Sequence, residues 1–473
     1  MVTFWTRKSL WAISHLLLLP TLSLFAQHTG QSYSLPALID SAQHHLPMLL
    51  QKKALIEAGQ AGVRDARDAF LPSSYLGDEV LVGSDNAVPG SYYSFGLIPS
   101  VTSGVNSASN NQAAGGNIGF LSNEYDLVNF GLKKATVRQA QANLSLSQSD
   151  LARDIYELKW QIGKLFLDIR KYQFQLGIDS QNVDRYQTLY KVIQAVTRSG
   201  IKPGADSALA MAELSGARTL YNNTYGQLRQ LYAQLGYLTG IPIGGILVDT
   251  SGTQSNLANP GIAGIPYSLP LTDSGAAANP LTDYYIKQRS LYVQTEDLVK
   301  KSYLPHVLLT GMVWARGSSI DYQDQYKSIG SGLGYDRFNY LAGLTVQYNL
   351  FNVVHRRDKA AIYHNEMLAS EYDLQQQQLS LQNVGVKAEE GIQTALRNLG
   401  EIPIQINAAQ DAYNQKTAQY RAGIINLVDL TNASYVVYRS QSEYVQTVSD
   451  WLLSNLDKAA ANGNLDLFIQ SIK

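Results

Sequence analysis

The chain has 473 residues, and its 37 Lys and Arg against 38 Asp and Glu give a formal net charge of −1. A near-neutral chain lacks the basic footprint of a nucleic-acid-binding protein, and a mean hydropathy of −0.14 argues against a bundle of apolar membrane helices. The absence of cysteine excludes disulfides, thiolate metal sites and cysteine nucleophiles.

The N-terminus has the pattern of a secretory signal peptide over residues 1–26. Arg7 and Lys8 form a short basic head, an apolar stretch runs from Leu10 to Leu24, and Ala26 suits the last position before cleavage. A retained N-terminal anchor is the alternative, although the stretch is short for one. No later segment approaches ~20 uninterrupted apolar residues, so we expect no second membrane helix. The signal pattern therefore predicts an exported protein.

A repeat at an offset of 223 residues organises the chain. YDLVN at 125–129 matches YNLFN at 348–352, and RSGI at 198–201 matches RAGI at 421–424, without a gap between the two pairs. Chance would not preserve one register over so long a stretch, so we expect two tandem repeats. We place the first repeat at 27–240, an irregular Pro- and Gly-rich equatorial linker at 241–280, the second repeat at 281–460 and a C-terminal tail at 461–473.

Each repeat predicts a helix, two strands, a very long helix, a tight turn and a return helix. The first helix is expected from Pro36 to Ala69, and the corresponding helix of the second repeat near 281–302. The strands are expected near 72–82 and 116–127 in the first repeat, and near 304–316 and 339–350 in the second.

The last strand has the clearest alternation of apolar and polar residues. Strand side chains point alternately to the two faces of a sheet, and an apolar face opposite a polar face is typical of an outer-membrane barrel. The abundance of tyrosine, with 30 residues against 11 phenylalanines, suits a boundary between lipid and water. The apolar set is Tyr340, Ala342, Leu344, Val346, Tyr348 and Leu350, and the polar set is Asn339, Gly343, Thr345, Gln347 and Asn349.

The long helices carry a seven-residue apolar repeat, which predicts a left-handed coiled-coil seam. A helix from about Leu132 to Thr197 would be roughly 100 Å long. The second copy has smaller or more polar residues in the same frame, and Pro403 is expected to kink or relax its helix. In the first long helix the seven-residue frame comprises Leu151, Ile155, Leu158, Ile162, Leu165, Ile169, Tyr172 and Leu176, and it continues through Val183, Tyr186, Tyr190 and Ile193.

The two long helices end in matching turns at the tip, at about 198–204 and 421–426. A Gly is expected at the helix C-cap, where φ is often positive, and a basic residue in the last turn favours the helix dipole. The matching pairs are Arg198 and Arg421 in the last turn, Gly200 and Gly423 at the cap, and Pro203 and Asn426 at the start of the return helix.

Asp206 and Asp429 fall in the first turn of the return helices, and two interpretations remain open. A carboxylate there stabilises the helix N-terminus by roughly 0.3–1 kcal/mol. In a rotationally symmetric assembly each Asp would also form a ring, and such rings select cations at a constriction. The two interpretations are compatible.

Taken together, these features resemble the TolC family of outer-membrane efflux ducts over about residues 33–460. The resemblance depends on the doubled order of elements, the Leu-Pro at both strand entries, the YDLVN and YNLFN strand exits and the tip pattern formed by Tyr420, Gly423 and Asp429. It implies an α+β membrane protein, in which a trimer forms a twelve-stranded outer-membrane barrel with four strands per chain. The barrel would continue into a long periplasmic helical coiled-coil barrel.

The resemblance also implies a closed gate near the tips. The gate Tyr of the family falls on Tyr420 and the first gate Asp on Asp429, whereas Ile425 stands at the position of the gate Arg and Asn432 at that of the second Asp. Since two polar gate groups are missing, we expect a weaker or differently bonded closed state.

The leading hypothesis is therefore a passive exit duct in the outer membrane with a periplasmic extension, as in Gram-negative cells. It would work with a periplasmic adaptor and an inner-membrane pump in efflux or type I secretion, with an iris-like opening of the tips, and without nucleic acid, cofactor or metal. A non-channel structural or adhesive coiled-coil protein is the alternative. An exported enzyme is disfavoured, because none of the seven His shows metal-ligand spacing and no phosphate-binding loop is found.

Overall fold

The computed structural model describes residues 31–86, 108–199, 204–242, 246–248 and 279–472. The expected signal peptide, most of the expected linker, Gly200 and Pro203 lie outside the described residues. Among the described helices, none combines the length and apolar character needed to cross a membrane.

Four antiparallel strands form the main sheet, in the order β2-β3-β5-β6. The strands are β2 (Ser73–Ser84), β3 (Ala113–Val128), β5 (His306–Ser318) and β6 (Arg337–Gln347). The last strand ends at Gln347, so Tyr348 and Leu350, which were expected to continue its apolar face, lie beyond it. A register shift between Asp126 and Val128 interrupts the pairing of β3 with β5.

The pairing register separates the side chains of the sheet into two faces. The apolar face contains the cross-strand rows Leu76–Leu121–Val313–Tyr340 and Tyr125–Leu309–Leu344. The polar face contains the row Glu79–Ile118–Arg316–Arg337 and carries every charged side chain of the four strands except Asp78. Because opposite faces differ in polarity, the sheet can lie between lipid and water.

Two very long helices extend from the sheet. α3 (Leu132–Arg198) has 67 residues and α6 (Asn352–Arg421) has 70 residues, so each spans roughly 100 Å at ~1.5 Å per residue. Each packs against a return helix, α4 (Gly204–Thr239) or α7 (Leu427–Ala461). α5 (Pro280–Ser302) packs against both long helices.

The seven-residue frame of α3 lies on the packed side of the helix. Leu158, Ile162, Leu165 and Ile169 are all buried, as the coiled-coil pattern predicts. α6 is helical through Pro403, which is itself buried. The equivalent frame of α6 buries mostly small or aliphatic residues, namely Ala388, Ile392, Ala395, Leu399, Ile406 and Ala409.

The expected first helix is two helices, and the prediction of one continuous helix from Pro36 to Ala69 is wrong. α1 (Leu35–His45) and α2 (Pro47–Asp68) are separated at Leu46, which has extended backbone angles of φ −70° and ψ 118°. Pro47 causes the break, because a proline disfavours the α conformation in the residue that precedes it.

The main hydrophobic core lies where α1 meets the middle of α3 and the ends of α4 and α7. A short parallel pair, β1 (Gln31–Tyr33) with β4 (Ile246–Val248), lies beside it. The expected C-terminal tail contains the helix α8 (Leu465–Ser471). Its Leu465 and Phe468 are fully buried in the same core, which fixes the chain end to the helical body.

Candidate functional site

The turn that ends α6 has the geometry that the sequence predicts for Gly423. Its φ is +73°, a left-handed conformation that glycine adopts without steric cost. The amide of Gly423 donates to the carbonyl oxygen of Tyr420 at 3.0 Å, and the amide of Ile424 donates to that of Gln419 at 2.9 Å. These two bonds form a Schellman motif and satisfy carbonyls at the end of the helix.

The return helix α7 begins with a side-chain cap. The Oδ1 of Asn426 accepts a hydrogen bond from the amide of Asp429 at 2.9 Å, which satisfies one of the free donors of the first turn. The side chains of Asp429 and Asn432 are exposed. Residues three apart are neighbours on a helix surface, so these two side chains lie close together on one exposed face.

The ends of the two helical hairpins meet in an apolar cluster, which we call the tip cluster. Its buried members are Ile193 of α3, Ala210 of α4, Tyr420 of α6, and Leu427 and Leu430 of α7. The partly buried side chains packed against it are Leu189, Tyr190, Leu209, Tyr413 and Ile425.

Ile425, at the position where the family pattern has an Arg, therefore packs against apolar side chains. The tip cluster joins all four helices of the two hairpins, so it opposes their separation by removing apolar surface from water.

Tyr420 and Asp206 belong to different hairpins, yet they lie close enough to interact electrostatically. Burial raises the pKa of Tyr420, and the negative charge of Asp206 raises it further. The structure thus brings the predicted gate residue Tyr420 close to Asp206, one of the two residues for which the sequence predicts a ring at a constriction. Arg198 and Arg421 are exposed at the ends of their helices.

Farther from the helix tips, a partly buried polar cluster joins α3 to α7, and it was not among the sites predicted from the sequence. We call it the polar clamp; its members are Gln175, Asp179, Tyr438 and Ser442. Asp179 is only 1% exposed, and its Oδ1 accepts hydrogen bonds from Tyr438 at 3.0 Å and from Gln175 at 2.8 Å. Gln175 also donates to the Oγ of Ser442 at 2.9 Å. The polar residues that interrupt the apolar frame of α3 between Leu176 and Val183 were the available signal.

The polar clamp leads to a prediction about alkaline stability. Burial, with the nearby charge of Asp179, raises the pKa of Tyr438 from 10.0 to about 12. The folded state thus favours the protonated hydroxyl. The contribution of this hydroxyl to the free energy of unfolding is therefore fully present below pH 10.0 and is lost as the pH rises through about 12. Tyr438→Phe should cost ~1–3 kcal/mol at neutral pH, and the difference from the unsubstituted protein should shrink above pH 10.0.

Chemical unfolding followed by circular dichroism at several pH values measures this difference. Tyr435→Phe is the matched control, because Tyr435 lies one turn away on α7 and is 55% exposed. A cost for Tyr438→Phe that does not change with pH would contradict the assignment of the hydroxyl proton.

A family model described as "Outer membrane efflux protein" matches residues 295–462, which is most of the second repeat and the first two residues of the C-terminal tail. Comparison of the sequence with curated proteins gives no significant match.

Several solved outer-membrane proteins have similar structures. The outer-membrane channel OprN is 14% identical with a TM-score of 0.72, and the match covers 91% of this chain and 90% of OprN. VceC from Vibrio cholerae is 12% identical with a TM-score of 0.70, covering 91% of this chain and 96% of VceC. The CmeC channel of Campylobacter jejuni is 13% identical with a TM-score of 0.71, covering 91% and 86%.

At these identities the structural likeness establishes the fold, and it extends over nearly the whole chain. Together with the family model, it confirms the resemblance to the TolC family and the expected combination of long helices with four antiparallel strands per chain. The family description and the names of these three proteins are those of outer-membrane proteins.

Proposed function

We propose that this chain, whose resemblance to outer membrane efflux proteins the comparisons confirm, is one subunit of a passive exit duct. The observation that carries the proposal is the continuation of the sheet into the long helices, from β3 to α3 and from β6 to α6, through links of only a few residues. A sheet with one apolar and one polar face suits a membrane barrel around water, and helices of roughly 100 Å suit a conduit across the periplasm.

The edges of the sheet support closure with further copies of the chain. β2 and β6 are the edge strands, and each is paired on one side within the chain. Unpaired backbone groups are not tolerated in lipid. Strand direction alternates across the sheet, so β6 of one copy would run antiparallel to β2 of the next. Three copies would then close a barrel of twelve strands, the assembly that the family resemblance implies.

The tips form the gate in this proposal. The tip cluster holds the two hairpins of a subunit together by apolar packing, with Ile425 where the family pattern has an Arg. Asp429 and Asn432 of three subunits would line the constriction, and Asp206 would lie behind them beside Tyr420. Opening would separate the hairpins in an iris-like movement, driven by a periplasmic adaptor and an inner-membrane pump.

Reconstitution of the purified full chain into planar bilayers tests the proposal. We expect a heat-modifiable trimer that passes ions, and cysteine pairs placed on β2 and β6 should cross-link neighbouring subunits of that trimer. A soluble monomer, or a trimer that inserts into lipid without passing ions, would overturn the proposed function. The absence of native cysteine makes the cross-linking free of background.

A further inference from the structure

The segment from Ser319 to Asp336, between β5 and β6, folds back onto the sheet. The Oγ of Ser319 accepts from the amide of Gly115 at 2.8 Å, and the amide of Ser319 donates to the carbonyl oxygen of Gly115 at 2.9 Å. The side-chain amide of Asn117 donates to the carbonyl oxygen of Leu333 at 3.0 Å. Ser319 is fully buried and Asn117 is 7% exposed, so the segment is bound firmly to β3.

Glycines allow this close contact at several points. A Cβ on Gly332 would overlap the carbonyl oxygen of Gly115, and a Cβ on Gly317 would overlap that of Gly334. A Cβ on Gly119 would come within 2.7 Å of the hydroxyl of Tyr335. The segment and the strand surface therefore fit each other because glycine occupies these points of closest contact.

The segment lies on the apolar face, at the end of the sheet away from the helices. The register places Gly115, Asn117, Gly119 and Gly317 on the same face as Leu121 and Val313. From Phe338 to Val346, β6 rises roughly 26 Å at ~3.3 Å per residue. With a strand tilt of about 40°, that is ~20 Å of the roughly 25 Å apolar band of such barrels. The segment is thus at the border of the apolar band that lies away from the helices.

The exposed side chains of the segment continue the apolar face. Ile329 is 44% exposed, Leu333 52% and Tyr335 55%, and Phe338 at the start of β6 is 70% exposed. Most charged groups of the segment lie in the hairpin that precedes Ile329, which holds the ion pair of Lys327 and Asp321, with N and O 3.0 Å apart. Asp336 is exposed beside Tyr335, and Arg337 lies on the polar face of the sheet. An apolar border with tyrosine beside a charged hairpin suits the boundary between acyl chains and headgroups.

We infer that residues 329–335 are a lipid-contacting collar, which lies on the outer leaflet at the level of the headgroups and sets the depth of the barrel. The occupant of this surface is the lipid of the outer leaflet, because the collar is continuous with the face that meets the acyl chains. The inference rests on the proposed function, since it requires the sheet to lie in the membrane.

Nitroxide labelling of single cysteines in the full chain, reconstituted in liposomes, tests the collar. Labels at Leu333→Cys, Leu344→Cys and Tyr322→Cys are compared by their collision rates with oxygen, which partitions into lipid, and with a water-soluble nickel complex. We expect the ratio of the two rates to be highest at 344, lowest at 322, which is in the charged hairpin, and intermediate at 333. The label at 333 should lose its lipid-like ratio when Gly332→Ala displaces the segment, and should keep it in Gly330→Ala, where a Cβ would meet nothing within 4 Å.

The outcomes separate this inference from the function on which it rests. A label at 344 that is accessible to water would remove the sheet from the membrane, and the exit duct with it. A lipid-exposed label at 344 with a water-exposed label at 333 would overturn the collar alone. An unchanged ratio at 333 in Gly332→Ala would show that the glycine contacts do not hold the segment, and would also overturn the collar as proposed.

Discussion

Leu430→Ala is expected to open the periplasmic tip and increase the conductance of the duct in planar bilayers. Leu430 is 1% exposed and belongs to the tip cluster, which contains residues of all four hairpin helices. Truncating a buried leucine removes transfer free energy and leaves a cavity, which together cost ~2–5 kcal/mol. Because the cluster holds the two hairpins together, the loss should favour the open arrangement, with more time spent at higher conductance.

Val428→Ala is the matched control for this prediction. Val428 belongs to the same turn of α7 but is 50% exposed, and exposed substitutions usually stay within about 0.5 kcal/mol. Its conductance should equal that of the unsubstituted channel. Equal conductance of Leu430→Ala and Val428→Ala would show that apolar packing within the subunit does not close the tip. Leu427→Ala, in which the replaced side chain is also 1% exposed, tests the same cluster with the same conductance measurement.

Asp429→Asn is expected to lower the cation preference of the channel, and Asn432→Asp to raise it. Both side chains are exposed on one face of α7 next to the tip turn. In a trimer the first change removes a ring of three carboxylates and the second adds one. A ring of carboxylates in a constriction selects cations. The two changes therefore act in opposite directions at nearly the same place.

The reversal potential across a salt gradient measures this preference. The effect should be larger at low ionic strength, because salt screens charges beyond roughly 10 Å at 0.1 M. The cap bond of Asn426 is to the backbone amide of residue 429, so Asp429→Asn retains it and loses only the favourable charge at the helix N-terminus, roughly 0.3–1 kcal/mol. Unchanged selectivity in both variants would place residues 429 and 432 outside the conduction path.

Much of the fold could be predicted from the sequence, because its elements are long and strongly periodic. The seven-residue frame through Leu158, Ile162 and Leu165 identified α3 and its buried side. The alternation around Leu344 identified β6 and its two faces. The break at Leu46 was missed although Pro47 was visible, because a helical pattern on both sides of a proline does not show whether the helix kinks or stops.

The candidate site could be predicted only in part. Gly423 and Asn426 follow from local turn chemistry and are found where the pattern places them. The proximity of Tyr420 to Asp206, by contrast, joins residues of different repeats. Ile425 could be aligned with a polar gate position, but its packing against the tip cluster depends on side chains from other helices. The hydrogen bond between Asp179 of α3 and Tyr438 of α7 also joins distant segments, so no local pattern predicts it.

By itself, the sequence determined the doubled order of helices and strands, the length of the first long helix and the polarity of the two faces of the last strand. These are local properties, set by side-chain periods of two and about 3.6 residues. Only the tertiary structure decided which residues share the tip cluster and the polar clamp, and that residues 329–335 cover the outer end of the apolar face. Such contacts join segments that are distant in the chain, so they depend on how several elements pack at once and not on any local pattern.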